Sequence, residues 1–302
     1  MTRAPLGNLE YWKRRADFLA SAIAEKKKLL DSPISNKAYA PQFSFDLAKY
    51  HLNLVLRLYS RGDSIRDLSQ HFPGLLDAWE LSNRLSDEIC KEHGLATCRD
   101  WDFSLSNLNH YNWCFWLVGL ALALDIPDDQ WRRLVSLIDG EDQDILLDRI
   151  IASRSPDRRI GTALLHAKPY ARLLKAIDAP RDQQAALLKD FVDHWYAELK
   201  RPPPKNRKAP TVQPFWYDYG DPVKSPLEKG SYFGRWCIEA VAAVKAFDLD
   251  DSLCLGHEHY PGDLLRPDGP TTHPLRPELE QQTTPVPWWK RWFSKADESG
   301  KR

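Results

Sequence analysis

The densest run of metal-binding residue types in the chain holds Cys254, His257, Glu258 and His259. Thiolate, imidazole and carboxylate are the ligands that zinc takes. The run lacks the His-Glu-x-x-His spacing that sets two histidines on one helical face, and its ligands crowd one another. A surface loop is the simpler reading, and neither a metal nor another cofactor is expected. No Gly-x-Ser-x-Gly nucleophile turn, P-loop or Gly-x-Gly-x-x-Gly fingerprint occurs. His51, His71, His93, His110, His166 and His194 stand apart from one another. An enzyme is therefore not expected.

Two other patches carry binding chemistry. Asp139, Glu141, Asp142, Asp144 and Asp148 form an acidic run with no basic residue among positions 134–148. Such a run suits a cationic partner. It equally suits a solvated helix start, where acids meet the positive end of the helix dipole. Phe215, Trp216, Tyr217, Asp218, Tyr219 and Asp221 make an aromatic and acidic loop. Its ring types are those enriched at interface hot spots, yet the same rings would serve to pack a long loop onto the body.

The elements that must hold these patches are helical. From Leu9 to Leu30, apolar residues recur at Leu9, Trp12, Ala16, Leu19, Ile23 and Leu30, nearly all at steps of three, four or seven. Asn8 stands where a cap belongs, and Gly62 should end a second helix that includes residues 43–59. Further helices fit about 74–92, 106–124, 128–138, 142–152, 164–177 and 181–200. No alternating β-branched stretch bounded by turns appears. The fold class expected is all-α, as a bundle or stacked helices with little or no sheet. Prolines crowd 202–226 and 261–287, where no continuous helix can run. Acidic turn residues at 136–142 suggest an N-terminal domain over 1–138 and a C-terminal domain over 139–265. Residues 266–302 then form a proline-rich, tryptophan-containing tail, expected to be loosely held.

Composition narrows the class further. The 302 residues carry 42 basic and 42 acidic side chains, a net charge of zero, which argues against a general nucleic-acid binder. The longest apolar run, Trp113 to Leu124, falls short of the roughly 20 residues a membrane helix needs. It reads as a buried core helix. No apolar stretch follows the first basic residues, so no secretory signal is expected. Five scattered cysteines without a CxxC pair read as reduced thiols in a cytosol.

Residues 230–264 carry the sharpest pattern. Ser231 to Phe247 reads as an amphipathic helix that buries Phe233, Trp236, Cys237, Ala240, Val244 and Phe247, with Arg235 and Glu239 placed to pair four residues apart. Within it stand Tyr232, Gly234, Trp236 and Glu239. Asp250 and Asp251 follow, and then Tyr260, Pro261, Asp263 and Leu264. The spacing and order of these three elements resemble the C-terminal domain of PoNi-type immunity proteins. Tyr50, then Tyr59-Ser60-Arg61-Gly62-Asp63, then Phe72 resemble the family's first domain. Arg235 departs from the pattern, in which an aromatic residue is more usual, and the chain after Leu265 lies outside it.

The resemblance implies a bacterial, cytoplasmic antidote to a PoNe-type DNase effector delivered by a secretion system to rivals. It would bind the cognate toxin and occlude its active site or DNA-binding cleft, without nucleic acid or membrane as partner. The toxin contacts expected are Asp139, Glu141, Asp142, Asp144, Asp148, Trp216, Tyr217, Asp218 and Asp221. The motif residues Tyr232, Gly234, Trp236, Glu239, Asp250, Asp251, Tyr260, Pro261 and Asp263 read as structural. A helical adaptor with another protein partner would share this composition, and a metal-dependent enzyme is the remaining alternative.

Overall fold

The computed structural model describes residues 1–30, 37–96, 104–202 and 213–274. These residues form helices and no strand. In chain order they are α1 (Leu9–Leu30), α2 (Ala40–Arg61), the short α3 (Ile65–Leu68), α4 (Phe72–His93), α5 (Leu108–Ala123), α6 (Asp128–Ile138), α7 (Ile145–Ala152), α8 (Ala167–Asp178), α9 (Arg181–Leu199) and α10 (Ile238–Phe247). Local chemistry sets several of the ends. Asn8 Oδ1 accepts a hydrogen bond from Tyr11 N at 2.8 Å and opens α1. Gly62 closes α2 with φ at 101°, a left-handed conformation that glycine adopts without a Cβ penalty.

Helix α2 packs between α1 and α4, α8 pairs with α9, and α5 pairs with α10. One apolar cluster runs through the chain from Ala4 to Leu264. At its centre α5 is apolar all round from Trp113 to Ala123, which is the signature of a fully buried helix. Gly119 makes the α5–α10 contact possible. A Cβ there would lie 2.7 Å from the Ile238 side chain and 3.1 Å from Ala242. The alanines of α10, Ala240, Ala242 and Ala243, are buried on their own account.

Two expectations are corrected. Residues 231–237 are not helical, and α10 starts only at Ile238. Carbonyls at 230–233 are taken by side chains from α1 and α2, which hold the segment in a non-helical course. Arg57 donates to Gly230 O, Tyr11 OH to Tyr232 O, and Ser60 Oγ to Phe233 O. The cysteines also differ from expectation. Cys114, Cys237 and Cys254 are free and buried, but Cys90 is held in a disulfide. Cys98, residues 203–212 and the tail beyond Pro274 lie outside the described residues.

Candidate functional site

The three motif elements converge on the core. Gly234 takes φ of 101°, and a Cβ there would fall 2.0 Å from the Trp236 indole nitrogen. The close approach lets Trp236 Nε1 donate to Ser60 Oγ at 2.9 Å, with the Tyr59 ring edge-on at 5.0 Å. Because the backbone is not helical before Ile238, Arg235 and Glu239 are not one turn apart, and the expected pair does not form. Arg235 instead donates to Tyr219 O and lies over the Tyr196 ring.

Glu239 is fully buried, and its Oε1 accepts three hydrogen bonds. Asn112 Nδ2 donates at 2.7 Å, Tyr170 OH at 2.9 Å and Trp195 Nε1 at 3.3 Å. Asn112 Oδ1 in turn accepts from Trp216 Nε1 at 2.8 Å. Burial pushes the Glu239 carboxyl up to about 7 against this donor set, because an apolar surrounding disfavours its charged form. Farther along, Tyr260 OH donates to Asp251 Oδ2 at 2.6 Å, and Arg266 binds both carboxylate oxygens. Pro261 opens the turn Gly262–Leu265. There Asp263 accepts from Arg3, Thr271 and Thr272. Burial works against the charged form of Asp263, yet these donors outweigh it and hold the carboxyl below its ordinary value. Asp250 alone of the motif acids is exposed, and it accepts from Ser252 N. The motif thus ties the C-terminal segment to α1, α2, α5, α8 and α9.

The acidic run divides sharply. Asp144 is fully buried and caps α7, with Oδ1 accepting from Leu146 N, Leu147 N and Tyr111 OH. Asp148, 1% exposed, accepts from Arg158 Nε at 2.8 Å. Glu141 is half-buried and accepts from Arg159 N at 2.7 Å. No basic residue sits within the run, but the chain folds Arg158 and Arg159 back onto it. Asp144 and Asp148 therefore serve the interior, while Asp139 and Asp142 remain exposed. Asp139 and Asp87 line a polar cleft of about 440 Å³ between α4 and the α6–α7 turn, with Asn83, Ser104, Ser136 and Gln143.

The aromatic loop divides in the same way. Trp216 (1% exposed) and Tyr217 (8%) are packed inside, the latter stacked on Tyr196 with ring centroids 4.4 Å apart. They offer no surface to a partner in this conformation. Asp218 pairs with Lys224, and Asp221 accepts from Val223 N and Lys224 N. Phe215 is the ring left outside, 58% exposed.

The Cys254–His259 run is likewise spent on the fold. Cys254 is buried, His259 N donates to His257 Nδ1, and His259 Nδ1 lies 3.1 Å from Arg235 O. Among the described residues no three His, Cys, Asp or Glu side chains are grouped to hold a metal ion.

Comparison with known proteins decides the family. The N-terminal model of the PoNe immunity proteins (PoNi) matches residues 3–136, and their C-terminal model matches residues 142–264. The chain belongs to the PoNi family. The structure is similar to the crystal structure of Protein PA2201 from Pseudomonas aeruginosa, with a TM-score of 0.64 and 20% identity. That likeness covers 88% of this chain and 89% of the other, and it concerns the fold. No curated protein sequence matched the chain.

For a PoNi protein the consequence is a division between frame and surface. The motif residues that mark the family are buried, apart from Asp250, so the pattern describes a scaffold. Of the patches singled out in the sequence, the described residues leave the cleft at Asp139 and the Phe215 ring accessible. Sequence reading missed the cleft's second carboxylate, Asp87, because it is 52 positions from Asp139 and comes from a different helix. It also missed a groove of about 520 Å³ beside Phe215, lined from α2, from residues 107–116 and by Phe233. The one signal available was the aromatic loop itself.

Proposed function

We propose that this PoNi-family chain binds a cognate PoNe-type DNase directly and blocks its DNA-binding cleft or active site. The match of both family models, over 3–136 and 142–264, carries the reading. A nuclease must concentrate positive charge where it holds phosphates. The cleft at Asp87 and Asp139 has two carboxylates and no basic residue in its lining, so it suits a lysine or arginine of the toxin. With a net charge of zero, any attraction between the partners is local to such a face. Blocking of this kind needs no chemistry from the antidote, and some DNase–immunity protein pairs are among the tightest complexes known. The protein would act in the bacterial cytoplasm, where the DNA is. Among the described residues no helix is long and apolar enough to cross a membrane.

Co-expression with the toxin tests the proposal. Cells carrying both genes should keep intact DNA, and Asp139→Lys with Asp142→Lys should slow association and weaken protection. DNA degradation undiminished by well-folded wild-type protein would refute it.

A further inference from the structure

The entry to α4 is built around two imidazoles. His71 stands immediately before Phe72 as the N-cap residue of α4, and its side chain makes no capping hydrogen bond. The His51 ring comes from α2 and lies against the first turn of α4. A Cβ on Gly74 would fall 2.5 Å from its Cε1 and 2.7 Å from its Nε2, so the ring fits there only over glycine. The two ring centroids are 6.5 Å apart. His51 is 5% exposed, and among the described residues neither of its nitrogens has a hydrogen-bond partner. Nε2 of His71 is also buried and without one.

The surroundings of the pair are set against a positive charge. The first turn of α4 carries no acid, so both rings sit at the uncompensated positive end of a 22-residue helix. From α1, Lys27 adds a second repulsion on each ring. Two acids act the other way, Asp77 of α4 on His51 and Asp63, between α2 and α3, on His71. Each is already held by an arginine, Asp77 by Arg133 and Asp63 by Arg61. A proton on either ring therefore meets burial, the helix end, Lys27 and the neighbouring ring.

We infer that His51 and His71 form a proton-operated latch on the α3–α4 corner: neutral, they fasten residues 65–74 against α2, and protonation in mild acid releases that corner while the other helices stay packed. The rest of α4 is anchored on its own account. Leu75, Leu76, Ala78 and Trp79 are buried, and the Trp79 ring packs on Phe45 of α2 and Trp113 of α5. Release brings both imidazoles into water and returns them toward the ordinary value of 6.5, so each proton taken up favours the open corner. The latch belongs to the folded chain and needs no toxin.

Hydrogen exchange of the full chain at pH 7.5 and pH 5, read as protection factors by mass spectrometry, tests the latch. His51 titrates near 4 in the closed form and at 6.5 in the open one, so protection over residues 65–74 should fall by about thirtyfold between the two pH values. Protection of α5 should hold. His51→Leu removes a ring whose nitrogens bond nothing, and the chain should still fold. With His71→Gln added, the fall over 65–74 should shrink to about threefold or less. Wild-type protection over 65–74 that is the same at both pH values would overturn the latch, whatever the variants do. A fall shared equally by α5 would show general acid loosening and overturn it as well. So would the full fall persisting in the double variant.

Discussion

Glu239→Gln should flatten part of the protein's pH dependence. The folded carboxyl titrates near 7, against an ordinary value of 4.5. Between those values the folded state binds a proton that the unfolded state has released. Stability from this group is therefore complete below about pH 4.5, falls as pH rises, and reaches its floor above 7. A displacement of about 2.5 at roughly 1.4 kcal/mol for each pH unit amounts to about 3 kcal/mol. Glutamine keeps the acceptor for Asn112, Tyr170 and Trp195 and carries no charge. Urea midpoints of wild type and variant, measured from pH 4.5 to 8, should diverge steadily. The variant should gain about 3 kcal/mol on the wild type across the range. The difference must be used because histidines slope the other way. Parallel curves would show that Glu239 ionises as readily inside the fold as outside it, and would refute the reasoning.

Other perturbations follow from the same geometry. His51 is buried with neither ring nitrogen hydrogen-bonded, and burial first, then Lys27 and His71, lower it to about 4 while Asp77 opposes them. The stability it confers is complete above pH 6.5 and lost as pH falls toward 4, so thermal melts of His51→Gln should show less acid sensitivity than wild type. Arg158→Ala should cost about 3–5 kcal/mol by stranding the buried Asp148 carboxylate; a denaturation midpoint close to wild type would contradict that. Trp236→Ala should cost about 3–5 kcal/mol as a buried large-to-small change. Gly234→Ala should be destabilised as well, since a Cβ would meet the Trp236 indole and the Ser60 hydroxyl. Unchanged melting temperatures in both would place Trp236 wrongly.

Periodicity was enough to read most helices, because a buried stripe repeats every three or four residues. Asn8 and Gly62 marked their ends through caps that act within one turn. The non-helical segment before α10 escaped that reasoning. Its apolar spacing is helical, and partners far away in sequence, among them Arg57, Tyr11 and Ser60, take its carbonyls in the non-helical form. The acidic run misled in a comparable way. Its exposure was decided by Arg158 and Tyr111, which the fold brings to Asp148 and Asp144. In the aromatic loop Trp216 is buried by partners distant in sequence, the Trp116, Trp195 and Phe233 rings and the acceptor Asn112 Oδ1. The family pattern was legible because its residues are spaced closely, within 35 positions; apart from Asp250 they are buried.

The central claim is that the protein neutralises a PoNe-type nuclease by binding it. The most direct measurement follows plasmid cleavage by the purified cognate nuclease while this protein is titrated in. The account predicts that cleavage falls in proportion to the protein added and stops near one molecule per nuclease. Cleavage at an unchanged rate in the presence of excess folded protein would contradict it.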